Sequence, residues 1–361
     1  MTQPPTPLDG PLTECEPPVA PKWPDIRSTV NVALDLLVQH QLTAANESAH
    51  AFGRMETLAR QLAGIQHVGQ LGLPDVHFES PQLLVFAADH GIAVEGVSAF
   101  PQDTTVQRSI ALLRGDTPVN ALAGLYGFEV TLVDAGVASH IPLPTEVEPV
   151  VPLLQRKIGY GTRNMALAPA MSVAQARSAI DAGMDVVRHL PGNVVALSNI
   201  GVAGNASAAQ LLSRLCGVPL ADACGKDQAQ DEVRAQHKLE RLFAAASRHR
   251  KATAPLDVLA AMGGFEIAML CGAMLQAASE RRLVLVDGFV AGAAALLARA
   301  LVPTVCDYLV FAHRAAEPGH RLLLIHLQAH PLLDMELRTG QGAGPMLAWP
   351  LVLAAQRLLQ R

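Results

Sequence analysis

Four short apolar runs, 83–87, 130–133, 194–197 and 283–286, constrain the fold of this chain more than any other feature. Each is largely aliphatic or β-branched and gives way to a polar, glycine-bearing turn. The turns are Asp89-His90-Gly91, Asp134-Ala135-Gly136, Ser198-Asn199-Ile200-Gly201 and Asp287-Gly288-Phe289. A short run with no polar alternation is a strand buried on both faces, and such strands belong to parallel sheets. Parallel neighbours need crossovers, and amphipathic or alanine-rich stretches at 174–187, 206–215, 231–246 and 291–301 supply them. The expectation is an α/β fold with a doubly wound parallel sheet. Its ligand site should lie off the carboxyl ends of the strands, where the polar turns fall.

Composition narrows the function. Half of the 361 residues are apolar and 16% are charged, a balance that builds a core rather than a disordered chain. A net charge of −5 without any Lys/Arg block gives no reason to expect nucleic acid or an anionic membrane as partner. The five cysteines are scattered, odd in number and without CxxC spacing, as free thiols in a reducing compartment would be. The proline-rich stretch 1–25 reads as a flexible arm with neither the basic start nor the apolar centre of a signal peptide. Every later apolar stretch is interrupted before it could span a bilayer, so the expected location is the cytoplasm. From Asp25 to about Gly72 the pattern is helical.

Several segments could carry chemistry, and each also has a plainer reading. Asp89-His90 at a strand end sets a carboxylate beside an imidazole, or caps a turn. Ser98 and Phe100-Pro101-Gln102 offer a hydroxyl, a flat ring and an amide to an aromatic ligand. In 197–207, Asn199, Gly201, Gly204, Asn205 and Ser207 open a helix with glycines that let backbone N–H groups approach a phosphate, or simply make a tight turn. Gly161-Thr162-Arg163-Asn164 supplies polar donors and a fixed cation, or a solvated loop. His313, Arg314, Glu317 and His320 crowd into eight residues without a metal-binding signature, so no metal is expected. Gly340-Gln341-Gly342-Ala343-Gly344 presents one amide where backbones can approach closely.

Together these segments resemble the nicotinate-nucleotide–dimethylbenzimidazole phosphoribosyltransferases. The likeness runs from about Arg54 to Leu359, through FAADHGIAVEGVSAFPQ (86–102), GTRNMALAPAM (161–171), PLDVLAAMGGFEIAMLCGAML (255–275), VDGFVAGAAALLA (286–298), DYLVFAHRAAEPGHR (307–321) and PLLDMELRTGQGAGPMLAWPL (331–351). The resemblance implies a Rossmann-like sheet with helices on both faces and a small helical domain built from both chain ends. On this reading 26–75 and 331–361 form the small domain around an α/β domain at 76–330. It further implies a homodimer, no cofactor, and transfer of phosphoribose from nicotinate mononucleotide to a benzimidazole-type base. Acceptor contacts then fall on Asp89, His90, Ser98, Phe100 and Gln102. Nucleotide contacts fall on the 197–207 loop, on Gly161-Thr162-Arg163-Asn164 and on Lys238, which matches a family lysine.

The chain departs from the family pattern in places that matter. The family's glutamate in its Gly-Glu-Gly loop corresponds to Gln341, and an amide cannot take up a proton as that carboxylate does. Asn199 stands where a second family glutamate is expected, in a segment carrying one extra residue. The family's Gly-Gly-x-Ala-Ile-Asn is here Gly115-Asp116-Thr117-Pro118-Val119-Asn120. Glu336 is one candidate substitute carboxylate. Beside the transferase stand a transferase for another azole or phenol, and a non-catalytic paralogue that binds a nucleotide or supports a partner subunit.

Overall fold

The computed structural model describes residues 22–44, 50–144, 148–225 and 232–360; most of the 1–25 arm therefore lies outside the described residues. Helices α1 (Val32–Ala44) and α2 (Arg54–Gln66) precede strand β1 (Gln82–Ala88). Then come α3 (Thr104–Arg114), α4 (Pro118–Tyr126), β2 (Glu129–Gly136), β3 (Leu153–Gln155), α5 (Val173–Arg188) and β4 (Val194–Ile200). Five helices follow: α6 (Gly204–Cys216), α7 (Leu220–Cys224), α8 (Glu232–Arg248), α9 (Pro255–Met262) and α10 (Phe265–Ser279). The chain closes through β5 (Leu283–Val286), α11 (Gly288–Leu301), β6 (Leu309–Phe311), β7 (His313–Ala315), α12 (Pro318–Leu327), β8 (Leu333–Leu337) and α13 (Ala343–Leu359).

Six strands form one sheet in the order β3-β2-β1-β4-β5-β6, every neighbouring pair parallel. The chain starts at β1, runs outward to β3, and returns to β4 on the other side. That reversal opens a crevice off the carboxyl ends of β1 and β4, where Ala87 lies opposite Ile200. All four apolar runs are strands, and all four expected helices are present, within a few residues. Helix α1 starts at Val32 rather than near Asp25. The preceding stretch is held extended along the sheet edge instead: Tyr308 OH donates to the Arg27 carbonyl at 2.7 Å, and Thr29 N–H donates to Asp307 Oδ2 at 2.9 Å.

The two chain ends meet. Helix α13 packs against α1, α2 and α4, with Trp349 edge-on to Phe128 at 5.5 Å between ring centres. Arg281 donates to the Gly64, Ile65 and His67 carbonyls, capping the last turn of α2. Burial is continuous from Leu58 and Leu62 of α2 through the strands to Val352 of α13.

The crossover helices α5 and α10 touch backbone to backbone. A Cβ on Gly183 would lie 2.0 Å from the Met269 carbonyl oxygen, and one on Gly272 would lie 1.9 Å from that of Ile180. Only two glycines facing each other's helix allow this approach, so Gly272→Ala should force the pair apart and cost about 3 kcal/mol. The readout is a lower urea midpoint at unchanged slope. Gly124→Ala in α4, where nothing lies within 4 Å, should leave the midpoint unchanged or raise it. Equal midpoints for wild type and Gly272→Ala would show that this contact is not tight.

Candidate active site

A cleft of about 270 Å³ opens at the reversal between β1 and β4. Its floor is the turn from β4 into α6. A Cβ on Gly201 would lie 2.5 Å from the Ala88 carbonyl oxygen, so only glycine lets this turn cross the end of β1. Ala203 follows with φ at 67°, a left-handed conformation costing a non-glycine residue roughly 1–2 kcal/mol. Val202 N–H donates to Thr105 Oγ1 at 3.1 Å, tying the turn to α3. Gly204 and Asn205 then begin α6, where first-turn N–H groups have no carbonyl one turn earlier. With Lys238 of α8 also on the cleft wall, this end is suited to a phosphate.

The opposite walls suit a flat ring. Ser98 and Phe100 line the cleft, and the Arg108 guanidinium sits 4.6 Å over the Phe100 ring. The segment from Leu337 to Gln341 closes the cleft from above. Gln341 itself has φ at 67°, and Gly342 has φ at 102°. A Cβ on Gly342 would meet Leu83 at 2.5 Å, so the loop is pressed onto β1. Gly342 N–H donates to Asp287 Oδ2 at 2.8 Å, which fixes the loop to the end of β5.

Asp89, His90 and Ser207 do not line the cleft; they are buried under it. His90 bridges two helices, with Nε2 2.7 Å from Glu266 Oε1 on α10 and Nδ1 2.9 Å from Ser207 Oγ on α6. Burial disfavours a charged His90, but the charge and hydrogen bond of Glu266, with Asp89 behind them, outweigh it and raise the imidazole pKa. Burial pushes the Asp89 carboxyl up, and the Thr105 hydroxyl, the Ala138 N–H and His90 offset part of that.

Other candidates fall elsewhere. Gln102 is exposed and outside the cleft lining. Gly161-Thr162-Arg163-Asn164 lies behind the Asp89-His90-Gly91 turn: Thr162 N–H donates to the Asp89 carbonyl at 3.0 Å, and Gly91 N–H to Thr162 Oγ1 at 3.1 Å. Asn164 bonds Glu95 rather than facing the cleft. Glu336 is exposed on β8 and also outside the lining, although its φ of 52° turns the chain just before the cleft segment begins. Asn199 lines the cleft beside Gly201. Sequence reading passed over Arg108, which lines the cleft, and Glu266, which anchors its floor; neither stands in a distinctive pattern. Asp287 and His313 were visible only as members of a turn and of a polar cluster.

Comparison with known proteins agrees with this geometry. A family model described as "Phosphoribosyltransferase" matches residues 29–361. A nicotinate-nucleotide–dimethylbenzimidazole phosphoribosyltransferase of Variovorax paradoxus is 43% identical over 337 residues, covering 93% of each chain. One of the same name from Cupriavidus necator is 45% identical over 312 residues, covering 86% of this chain and 87% of its own. A crystal structure of that enzyme from Thermus thermophilus superposes with a TM-score of 0.83 at 32% identity, covering 92% of this chain and 96% of the other.

The buried pair under the cleft has a pH signature. The folded pKa of His90 lies above its ordinary 6.5, so the pairing stabilises the fold below that value and is lost as pH rises through the folded pKa. Glu266→Gln should therefore cost most stability near pH 6, about 3 kcal/mol. The cost should shrink as the solution becomes alkaline. Urea unfolding across that range measures it, and a penalty that grew with pH would contradict the assignment.

Proposed function

Because the chain belongs to the phosphoribosyltransferase family, we propose that it moves phosphoribose from nicotinate mononucleotide to 5,6-dimethylbenzimidazole, giving α-ribazole 5′-phosphate and nicotinate for the assembly of the cobalamin nucleotide loop. The observation that carries this reading is one cleft joining a helix N-terminus with a nearby lysine to an aromatic wall and the Gly340-Gln341-Gly342 loop. A phosphate at Gly204, Asn205 and Lys238 would place the ribose across the turn. The benzimidazole would then lie against Phe100, with Ser98 at its edge and Gln341 above. Nicotinate departs through its cationic ring nitrogen, which takes the bonding pair, so the ribose gains oxocarbenium character as that bond lengthens. The acceptor nitrogen attacks from the opposite face, and its other N–H becomes acidic.

We also assign a cytoplasmic homodimer. Among the described residues no helix is long and apolar enough to cross a membrane. Val30, Val32, Leu36 and Leu37 form an exposed apolar strip along the start of α1 that a second copy could cover. The amide at position 341 supports one other reading, a nucleotide binder without turnover.

Two measurements test the proposal. Purified protein mixed with nicotinate mononucleotide and 5,6-dimethylbenzimidazole should release nicotinate and the ribotide in equal amounts; nucleotide binding without product would favour the binder. Second, a Cβ on Gly204 would lie 3.6 Å from both Glu266 Oε1 and His90 Nε2, in ordinary contact. Gly204→Ala should thus be tolerated. Gly204→Asp, adding a charge that repels both phosphate and Glu266, should weaken nucleotide binding at least tenfold, about 1.4 kcal/mol. Equal affinity by calorimetry in a folded Gly204→Asp variant would move the phosphate elsewhere.

A further inference from the structure

With an amide at position 341, the acceptor's proton needs another destination. Among the ionisable side chains lining the cleft, Asp287 and His313 are each only 1% exposed. Asp287 follows β5 and His313 follows β6, neighbouring strands of the sheet. Asp287 Oδ2 is fully engaged, accepting from Ser198 Oγ at 2.6 Å and from Gly342 N–H at 2.8 Å. Its Oδ1 has no hydrogen-bond partner and faces His313 Nδ1, also without one, at 3.6 Å. A bare carboxylate oxygen beside Nδ1 selects the tautomer that carries its proton there, which leaves a lone pair on Nε2. The Nε2 edge looks toward Gly288, where an added Cβ would lie 3.9 Å from it, and Gly288 is cleft wall. Gln341 immediately precedes the residue whose N–H is bound to the same carboxylate, so amide and imidazole share one side of the cleft.

We propose that His313 Nε2 is the general base of the transfer, with Asp287 as the positioning residue that holds its tautomer and pairs with the imidazolium it forms. This rests on the transferase reading above. As the lone-pair nitrogen of the benzimidazole bonds to the ribose C1′, the bond from C1′ to nicotinate breaks and its electron pair leaves on the nicotinate nitrogen. The N–H proton of the new benzimidazolium passes to His313 Nε2, and the imidazolium returns it to water after product leaves. Besides Asp287, the charged groups that line the cleft with His313 are Arg108, Lys238, Glu317 and Arg338, and Arg314, next in the chain, pairs with Asp334. His320, with its ring 6.2 Å away, stays neutral: burial, His313 and Arg314 hold its pKa down to about 3, and its Nδ1 accepts the Ala315 N–H.

The test compares ribotide formation by wild type, His313→Gln, Gln341→Glu and the double variant, with nucleotide affinity measured on each. His313→Gln should lower kcat about 100-fold or more, within the range for losing a general base, at unchanged nucleotide affinity. In the His313→Gln background Gln341→Glu should raise kcat at least tenfold, a rescue that a merely structural histidine would not show. Wild-type kcat in His313→Gln, or no rescue, overturns the proposal while leaving the transferase reading intact; a wild type that makes no ribotide overturns both. Should His313→Gln not fold, ¹⁵N spectra of wild-type histidines decide instead: a proton on Nδ1 of His313 is expected, and one on Nε2 overturns the assignment.

Discussion

The cleft exists because one buried carboxylate joins parts of the chain that are far apart in sequence. Asp287 receives the Ser198 hydroxyl from β4 and the Gly342 N–H from the entrance of α13, and it stands between β5 and α11. A charge so fully desolvated is costly unless its oxygens are occupied. Burial indeed pushes this carboxyl pKa up; His313, the Ser198 hydroxyl and the Gly342 and Gly344 N–H groups pull it back. The wall carrying Gln341 is therefore held in place by the donors that make a buried charge tolerable. A Cβ on Gly344 would meet His313 Nδ1 at 2.1 Å, which leaves no room for any other residue at that corner.

A second buried network supports the opposite side. His90 comes from the turn after β1, Ser207 from α6 and Glu266 from α10, so one imidazole links the end of a central strand to the helix whose first turn faces the cleft. Ala203 just ahead of that helix sits at positive φ, and Gln341 does so in the facing loop. Left-handed non-glycine residues persist only where surrounding contacts over-determine them. Here those contacts are the Val202 bond to Thr105 on one side and the Gly342 bond to Asp287 on the other. The fold thus stores strain at two points of the cleft rim and offsets it with buried hydrogen bonds below.

What the sequence disclosed follows the same physics. The interior strands of the sheet were legible because a strand buried on both faces must be apolar at nearly every position, as 83–87 and 283–286 are. Edge strand β3 and the β7–β8 pair were not: β3 and β8 are partly exposed, and the three residues of β7 include His313 and Arg314, so none carries an apolar run. The loop at 197–207 could be placed at the strand ends because an apolar run ends there and an amphipathic stretch begins at 206. The depth of Asp89 and His90 could not be read: a polar pair after a strand looks alike whether it faces a ligand or a partner such as Glu266, 176 residues away. Arg108 lay in an amphipathic helix where one more cation signals nothing. Long-range pairing decides these roles, and periodicity does not record it.

The amide at 341 and the imidazole at 313 are best understood as one electrostatic arrangement. A carboxylate at 341 would stand on a loop hydrogen-bonded to Asp287 by the very next residue, placing two like charges at one poorly solvated wall. Like charges at close range raise the pKa of one partner, so one of the two would be held partly protonated. A neutral amide removes that conflict: Asp287 keeps its charge, its free Oδ1 continues to face His313 Nδ1, and the proton-accepting role passes to the ring nitrogen on the other side. The positive charge that develops on the acceptor then meets a neutral base backed by a fixed anion. That anion needs no reorganisation during transfer, because Ser198 and Gly342 already hold it.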